Sequence, residues 1–336
     1  MKTLVVGSLD VTEILRMPKC IEVMRETFRA FARGEAIFPP RRALPQPDKK
    51  GILGMMPGYL GSKGAIGIKA ITVFPGNLDT TFESHQGAVL LFETEHGRLL
   101  SVVDAGSITA IRTAAASGVA TDTLARKDVA NLTILGSGTQ ANSHLEAMLA
   151  VRPGIRKIRV WSRNPDHAKR FAVRESASRG VQIEIAESAR SAILGSDLIC
   201  TTTGAKSPIL KGEWLSPGVH INAVGASTPS FRELDTDAIV KSRFFVDSRE
   251  SALNEADDFR IPKQEGAIDE SHIVGEIGEV LEGKVTGRTG PGEITIFKSL
   301  GIAIEDVAAA HYIYTQASSR NMGTWVEFAG ERHSST

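Results

Sequence analysis

At 336 residues, with Lys plus Arg at 39 and Asp plus Glu at 39, the chain has room for about two domains and no net charge to recruit nucleic acid or an anionic membrane. Its two cysteines, Cys20 and Cys200, form neither a disulfide framework nor a metal pattern, and its eight histidines show no HxH or HExxH spacing. A reducing, cytoplasmic setting without a metal is therefore expected, and the opening MKTLVVGSLDVTEIL reads as neither a signal peptide nor a membrane span.

The first region is predicted to be helical: Ile14, Leu15, Ile21, Met24, Phe28 and Phe31 recur at three- and four-residue steps until Gly34, with Pro18 opening the second of two helices. A proline-rich approach, FPPRRALP, leads to strand-like runs at Ile52 to Met56, Ile66 to Phe74, Gln86 to Phe92 and Leu99 to Val103. Short glycine-bearing links between them predict an antiparallel or mixed sheet. Ala105 to Leu124, alanine-rich with few breakers, is predicted as one long helix.

Leu132 to Asn164 then reads strand, glycine turn, helix, strand, with Gly136-Ser137-Gly138 at the turn, Thr139-Gln140 opening the helix and Ala141 small enough to pack it on its strand. That context within about 30 residues marks a dinucleotide site, because glycines let the backbone approach a pyrophosphate at the positive end of the helix. The alternative is a plain helix-opening turn. An NAD-selective site usually carries Asp or Glu about 20 residues past the glycines. Here the second strand ends in Ser162-Arg163-Asn164, a hydroxyl and a guanidinium suited to a 2′-phosphate, so NADP(H) is expected in preference to NAD(H). If Arg163 is only a solvated charge, the two would bind comparably.

Strands are predicted at Val181 to Ile185, Leu198 to Thr202, Val219 to Val224, Phe244 to Val246 and Ile294 to Phe297, with helices between several of them. Ile268 to Leu281 and Ile304 to Ser318 read as further helices, and EFAGERHSST as a frayed polar tail. The expected fold is α/β: a Rossmann-type, doubly wound parallel sheet (119–301) inserted into an α+β substrate and dimerisation domain (1–118 plus 302–330).

Lys69 lies on a strand whose two faces are both mostly apolar, and a buried ammonium needs an anion. It is either a cation awaiting a substrate carboxylate, or one tuned for proton transfer, or part of an internal salt bridge or an edge lysine reaching water. Arg112 sits in the alanine-rich helix among neighbours too small to screen it, and Arg41 and Arg42 follow two stiffening prolines. Taken singly, such arginines are commonly surface charges. Together, without a nucleophile motif beside them, they suggest a site for an anionic small molecule and leave the chemistry to a cofactor.

With these residues in hand, the chain resembles the ornithine cyclodeaminase/μ-crystallin family over nearly its whole length. The resemblance rests on Gly54-Met55-Met56-Pro57-Gly58-Tyr59, Lys69, Ser84-His85-Gln86, Ile111-Arg112-Thr113-Ala114-Ala115, the Gly136 turn, Ile221-Asn222-Ala223-Val224-Gly225-Ala226, Glu233-Leu234-Asp235 and Phe297-Lys298-Ser299-Leu300-Gly301. It implies a homodimer built on the first domain, to which the last helix returns. It also implies that Arg41, Lys69 and Arg112 grip the carboxylate of an amino or imino acid, with Met56 lining the pocket. Cofactor contacts are expected from Gly136, Gly138, Thr139 and Gln140, from Ser162, Arg163 and Asn164, from the strand ends Thr202, Ala223, Val224 and Gly225, and from Ser84 and Arg112.

Ornithine cyclodeaminases carry an aspartate just after the Gly225-Ala226 position, where this chain has Ser227, which cannot pair with an ammonium as a carboxylate does. Unless Glu255, Asp257 or Asp258 substitutes, the pattern is closer to the μ-crystallin branch. The expected activity is NADPH-dependent reduction of Δ1-pyrroline-2-carboxylate or Δ1-piperideine-2-carboxylate, with Lys69 or a water near Ser227 relaying the proton. The alternatives are ornithine cyclodeamination with internally recycled NAD, an alanine-type dehydrogenase, and a non-catalytic nicotinamide-dependent binding protein. Unpaired cations on apolar elements are expected to count against that last alternative.

Overall fold

A computed structural model describes residues 2–328, the side chains of 78 and 79 apart; most of the expected tail, 329–336, lies outside the described residues. The chain divides into one unit of Met1–Arg112 with Ile302–Thr336 and a second of Thr113–Gly301. The first unit contains β1 (Lys2–Val6), α1 (Ser8–Ile14), α2 (Met17–Ala32), β2 (Ala36–Ile37), β3 (Arg42–Pro45), β4 (Ile52–Leu60), β5 (Ala65–Val73), β6 (His85–Glu93) and β7 (Leu99–Asp104). In α2, Pro18 occupies the first turn and Cys20, Ile21, Met24 and Phe28 fall on one buried stripe.

Helix α3 (Ala105–Leu124) passes from the first unit into the second. Its second half, Ala114-Ala115-Ala116-Ser117-Gly118-Val119-Ala120, is buried on all sides, as suits a helix of small residues without a polar face. The second unit continues with β8 (Asn131–Leu135), α4 (Thr139–Val151), β9 (Lys157–Trp161), α5 (Pro165–Arg179), β10 (Ile183–Ile185), α6 (Ala189–Ile193), β11 (Leu198–Thr201), β12 (His220–Ala223), α7 (Thr236–Val240), β13 (Ser242–Val246), α8 (Arg249–Glu255), α9 (Asp257–Gln264), β14 (Ile273–Glu276), α10 (Ile277–Leu281) and β15 (Ile294–Lys298). Its sheet runs β10-β9-β8-β11-β12-β15-β13-β14, parallel throughout, so the doubly wound expectation holds. The order reverses between β8 and β11, and that switch point is where open α/β sheets leave a crevice at their carboxyl ends.

The chain then returns to the first unit as α11 (Ala303–Arg320) and β16 (Thr324–Glu327). The first sheet is ordered β16-β1-β7-β6-β5-β4-β2, with β3 also on β4; β1 and β7 are parallel and the other neighbours antiparallel, a mixed sheet. Helix α11 lies across β4, β5 and β6 and against α2.

Two sequence expectations are corrected. Ile268 to Leu281 is not one helix: a 3-10 turn at Glu270–His272 leads into β14 and then α10. Ile273 is buried opposite Phe244, and Gly275 weakens a helix there, so pairing with β13 outweighs the helical spacing. Of the tail expected to fray, its first residue, Glu327, instead pairs with Lys2 at the end of β16.

Candidate functional site

In the first unit, alternation along β5 turns Gly67, Lys69 and Ile71 to the buried face, and the register with β4 sets Gly58 opposite Gly67 and Met56 opposite Lys69. Both glycines are needed there. A Cβ at Gly67 would come within 2.8 Å of the Leu90 carbonyl and 3.2 Å of Val307, and one at Gly58 within 3.2 Å of the Ala303 backbone. The paired glycines form a notch that admits the first turn of α11, which carries Glu305 and Asp306.

That turn brings four charges together. Lys69 Nζ lies 2.8 Å from Asp306 Oδ2 and 3.5 Å from Thr109 Oγ1. Arg112 donates from Nε to Asp306 Oδ1 at 3.0 Å and from Nη1 to Glu305 Oε2 at 2.7 Å. Lys69 and Arg112 are 2% and 4% exposed, and both acids are fully buried. Burial pushes Lys69 down to about 8; Asp306 pulls it up, while Arg112 and Arg41 push it further down. Burial would raise Asp306, but Arg112 and Lys69 hold it below its usual range, and the positive end of α11 favours both acids.

The expectation that these cations stand unpaired is therefore corrected, as is the exposure inferred for Arg112. Its small neighbours do not leave it open, because Glu305 and Asp306 from the far end of the chain cover it. An internal salt bridge does not exhaust the donors, however. Two partners leave Lys69 one N–H, and among the described residues Arg112 Nη2 makes no hydrogen bond. A carboxylate fits that remaining capacity.

Met56, 7% exposed, lies beside Lys69 across the β4–β5 ladder. Arg41 is half-buried and near enough to act on Lys69. Ser84 Oγ hydrogen-bonds His85 Nδ1 at 2.9 Å where β6 begins. Sequence reasoning missed Glu305 and Asp306; their signal is an adjacent acidic pair opening a helix that is otherwise alanine-rich and buried. Glu93, Glu95 and His96 could also approach a metal, but Glu93 accepts the backbone N–H groups of Glu95, His96 and Arg98 and so closes the exposed β6–β7 turn.

In the second unit the expected cofactor positions gather at the carboxyl ends of β8, β9, β11 and β12. Gly136 has φ +120°, and a Cβ there would meet Thr202 Oγ1 at 2.5 Å and its carbonyl oxygen at 2.8 Å. Thr202 in turn donates from N and Oγ1 to the Leu135 carbonyl, at 2.8 and 3.0 Å. Gly138 caps α4 without a side-chain hydrogen bond, and a Cβ there would meet nothing within 4 Å. Gly138 and Thr139 are exposed where α4 opens, and this glycine turn running into a helix N-terminus forms a cradle that fits a dinucleotide pyrophosphate.

At the end of β9, Ser137 donates to Ser162 Oγ at 3.1 Å, Arg163 is exposed without an ion pair among the described residues, and Asn164 caps α5 by accepting from Asp166 N at 2.9 Å. Ala223 ends β12, with Val224 buried and Gly225 and Ser227 half-buried beyond it. Ser84 and Arg112 belong to the other unit. Asp258 is engaged by Lys298 and Asp257 by Arg260.

The family model described as the ornithine cyclodeaminase/mu-crystallin family matches residues 1–321. The chain belongs to this family. It is 39% identical over 299 residues to the ketimine reductase mu-crystallin of Mus musculus, covering 89% of this chain and 91% of the mouse protein. Among solved family structures, the Δ1-pyrroline-2-carboxylate reductase of Thermococcus litoralis in complex with NADH and L-proline superposes with a TM-score of 0.93. It is 39% identical and covers 96% of this chain and 99% of that one. An archaeal alanine dehydrogenase dimer with bound NAD gives 0.92 at 35% identity, covering 98% of this chain and 100% of that one.

Proposed function

We propose that this protein is an NAD(P)H-dependent imine reductase that converts a small cyclic ketimine carboxylate, Δ1-pyrroline-2-carboxylate or Δ1-piperideine-2-carboxylate, to L-proline or L-pipecolate. The observation that carries the reading is the buried pair Lys69 and Arg112, locked on Asp306 and Glu305 yet each with an N–H to spare. Support for the imine as substrate comes from the relatives named as ketimine and pyrroline-2-carboxylate reductases. Ser227, neutral where the cyclodeaminase aspartate is expected, favours reduction over deamination.

The residues divide the work as follows. Lys69 and Arg112, with Arg41 as a third cation, hold the substrate carboxylate, and their anchoring on α11 means that little freedom is lost when it binds. Met56 gives the ring an apolar wall. The Gly136 turn, with Gly138, Thr139 and Gln140, holds the pyrophosphate. A nicotinamide held there would supply the hydride for the imine carbon. Lys69, whose ammonium yields its proton near pH 8, supplies the proton taken up by the imine nitrogen. Thr202, Ala223, Val224 and Gly225 line the strand ends of the cofactor site, and Ser227 presents a hydroxyl beyond them. Ser84 and Arg112 are proposed as further cofactor contacts.

NADPH is the preferred donor in this reading, because Ser162, Arg163 and Asn164 offer donors and no carboxylate to a 2′-phosphate. The test is an assay of purified protein with NADPH and NADH against both imines, with L-ornithine as control. Loss of reduced-nicotinamide absorbance with either imine, at least about tenfold more efficient with NADPH, is expected. Ammonia from ornithine without net absorbance change would assign the cyclodeaminase instead, and equal efficiency would leave Arg163 a solvated charge.

Because Lys69 titrates near 8 rather than 10.5, carboxylate binding weakens as pH rises through about 8. The inhibition constant of L-proline is expected to rise above that pH, and a flat profile to pH 10 would remove Lys69 from the site. The same depression disfavours folding below about 8, and this cost lifts as pH rises from about 8 to 10.5, where the unfolded chain holds the extra proton.

A homodimer is also proposed. The β4–β5 face turned away from α11 exposes Tyr59 and its register partner Ile66, at 36% and 45%. Sedimentation at the mass of one chain would contradict it.

A further inference from the structure

A fully buried charged cluster lies among the strand-end loops of the second unit, and the proposed reaction uses none of its members directly. Glu233 accepts from Thr201 Oγ1 at 2.7 Å, from the N and Oγ1 of Thr203 at 2.7 Å each, and from the N–H groups of Gly225 and Ala226 at 2.8 and 3.2 Å. Asp258 accepts from the N–H groups of Glu233 and Leu234 at 2.8 and 2.9 Å. Lys298 Nζ bridges Asp258 Oδ2 and the Ala226 carbonyl, at 2.7 Å each. Glu233, Asp258 and Lys298 are all fully buried.

Burial raises Glu233 above the ordinary carboxylate range, while Lys298 and the threonine hydroxyls pull it back, and with only donors facing its two oxygens it acts as an acceptor. Its charge is spent on joining two loops, the one after β11 and the one after β12. The loops touch backbone to backbone: a Cβ at Gly225 would lie 2.1 Å from the Thr203 carbonyl oxygen and 2.6 Å from Glu233 Oε1. Glu233 grips Thr201 and Thr203, the two neighbours of Thr202, and Thr202 is the residue that walls the Gly136 turn. It also grips Gly225 and Ala226, immediately before Ser227. A single side chain therefore ties together the carboxyl ends of β8, β11 and β12.

We propose that Glu233 is a positioning residue for the dinucleotide: by locking these loops in one register it sets the shape of the Gly136 cradle, and with it cofactor affinity, without touching the ligand. This rests on the dinucleotide reading of the turn. The test is titration of NADPH against tryptophan fluorescence in wild type and in Glu233→Gln, with melting temperatures measured in parallel. The amide keeps one acceptor oxygen and turns an NH2 against former donors, so the Kd is expected to rise at least about tenfold.

A purely structural role would lower the melting temperature and leave the Kd of the folded variant within twofold of wild type, which overturns the proposal. If Glu233→Gln does not fold, Thr203→Val decides, since it removes one uncharged donor. A Kd about threefold weaker supports the proposal, and an unchanged Kd overturns it. Wild-type protein that binds neither NADPH nor NADH would refute the dinucleotide reading, and this proposal with it.

Discussion

Replacing Lys69 with Met is expected to lower kcat/KM for the cyclic imine by about 1,000-fold or more, with NADPH affinity kept within about twofold. Truncating one partner of a buried charge pair in a complex costs about 2–5 kcal/mol, here the Lys69 ammonium that would face the substrate carboxylate, and each 1.36 kcal/mol is about tenfold in rate. The same change leaves Asp306 Oδ2, 2.8 Å from Lys69 Nζ and fully buried, without that counter-charge, which is a cost to folding. Arg112 still holds Asp306 through Oδ1, so the fold is expected to survive at a lower melting temperature. The substrate loses both a charge-assisted bond and the proposed proton source. Initial rates over a range of imine concentrations decide it, and undiminished turnover would sink the assignment of Lys69.

The second large effect is expected at Gly136. Gly136→Ala forces a side chain into φ +120°, a region L-residues rarely adopt, and drives its Cβ to 2.5 Å from Thr202 Oγ1 and 2.8 Å from its carbonyl oxygen. Thr202 is held by two bonds to Leu135 and cannot yield without opening the turn. NADPH binding is expected to weaken at least about 100-fold, which is about 2.7 kcal/mol, within the range that such backbone strain reaches. Gly138→Ala is the informative contrast. Its Cβ would meet no protein atom within 4 Å, so the melting temperature should hold, and any loss of affinity there reports the approach of the ligand itself. Fluorescence titration measures both; near-wild-type affinity in Gly136→Ala would withdraw the turn from the cofactor site.

Local features were legible from the sequence and distant pairings were not. The alanine-rich run predicted the bounds of α3, and the glycine turn predicted the β8–α4–β9 unit, because each is decided by its own propensities within a few turns of chain. Alternation along β5 set Lys69 between two mostly apolar faces and kept an internal salt bridge among its readings, beside an edge lysine reaching water. It could not supply Asp306, 237 residues further on, nor reveal that the Gly58–Gly67 pair is a notch for α11. The outer strands β1 and β16 went unpredicted, since they pair the two ends of the chain. At β14 the helical spacing of Ile268 to Leu281 misled, as a seat beside β13 outweighed local preference. Glu233 lay within a run that carried the family resemblance, yet its role depends on five donors from two loops that only the fold brings together.

Whether a carbon–nitrogen double bond receives hydride from an external nicotinamide is tested most directly with NADPH deuterated at the transferred C4 position. With Δ1-pyrroline-2-carboxylate as substrate, mass spectrometry is expected to find one deuterium at the α-carbon of L-proline per cofactor oxidised. Unlabelled proline, or no deuterated product from either this imine or Δ1-piperideine-2-carboxylate, would contradict imine reduction by this protein.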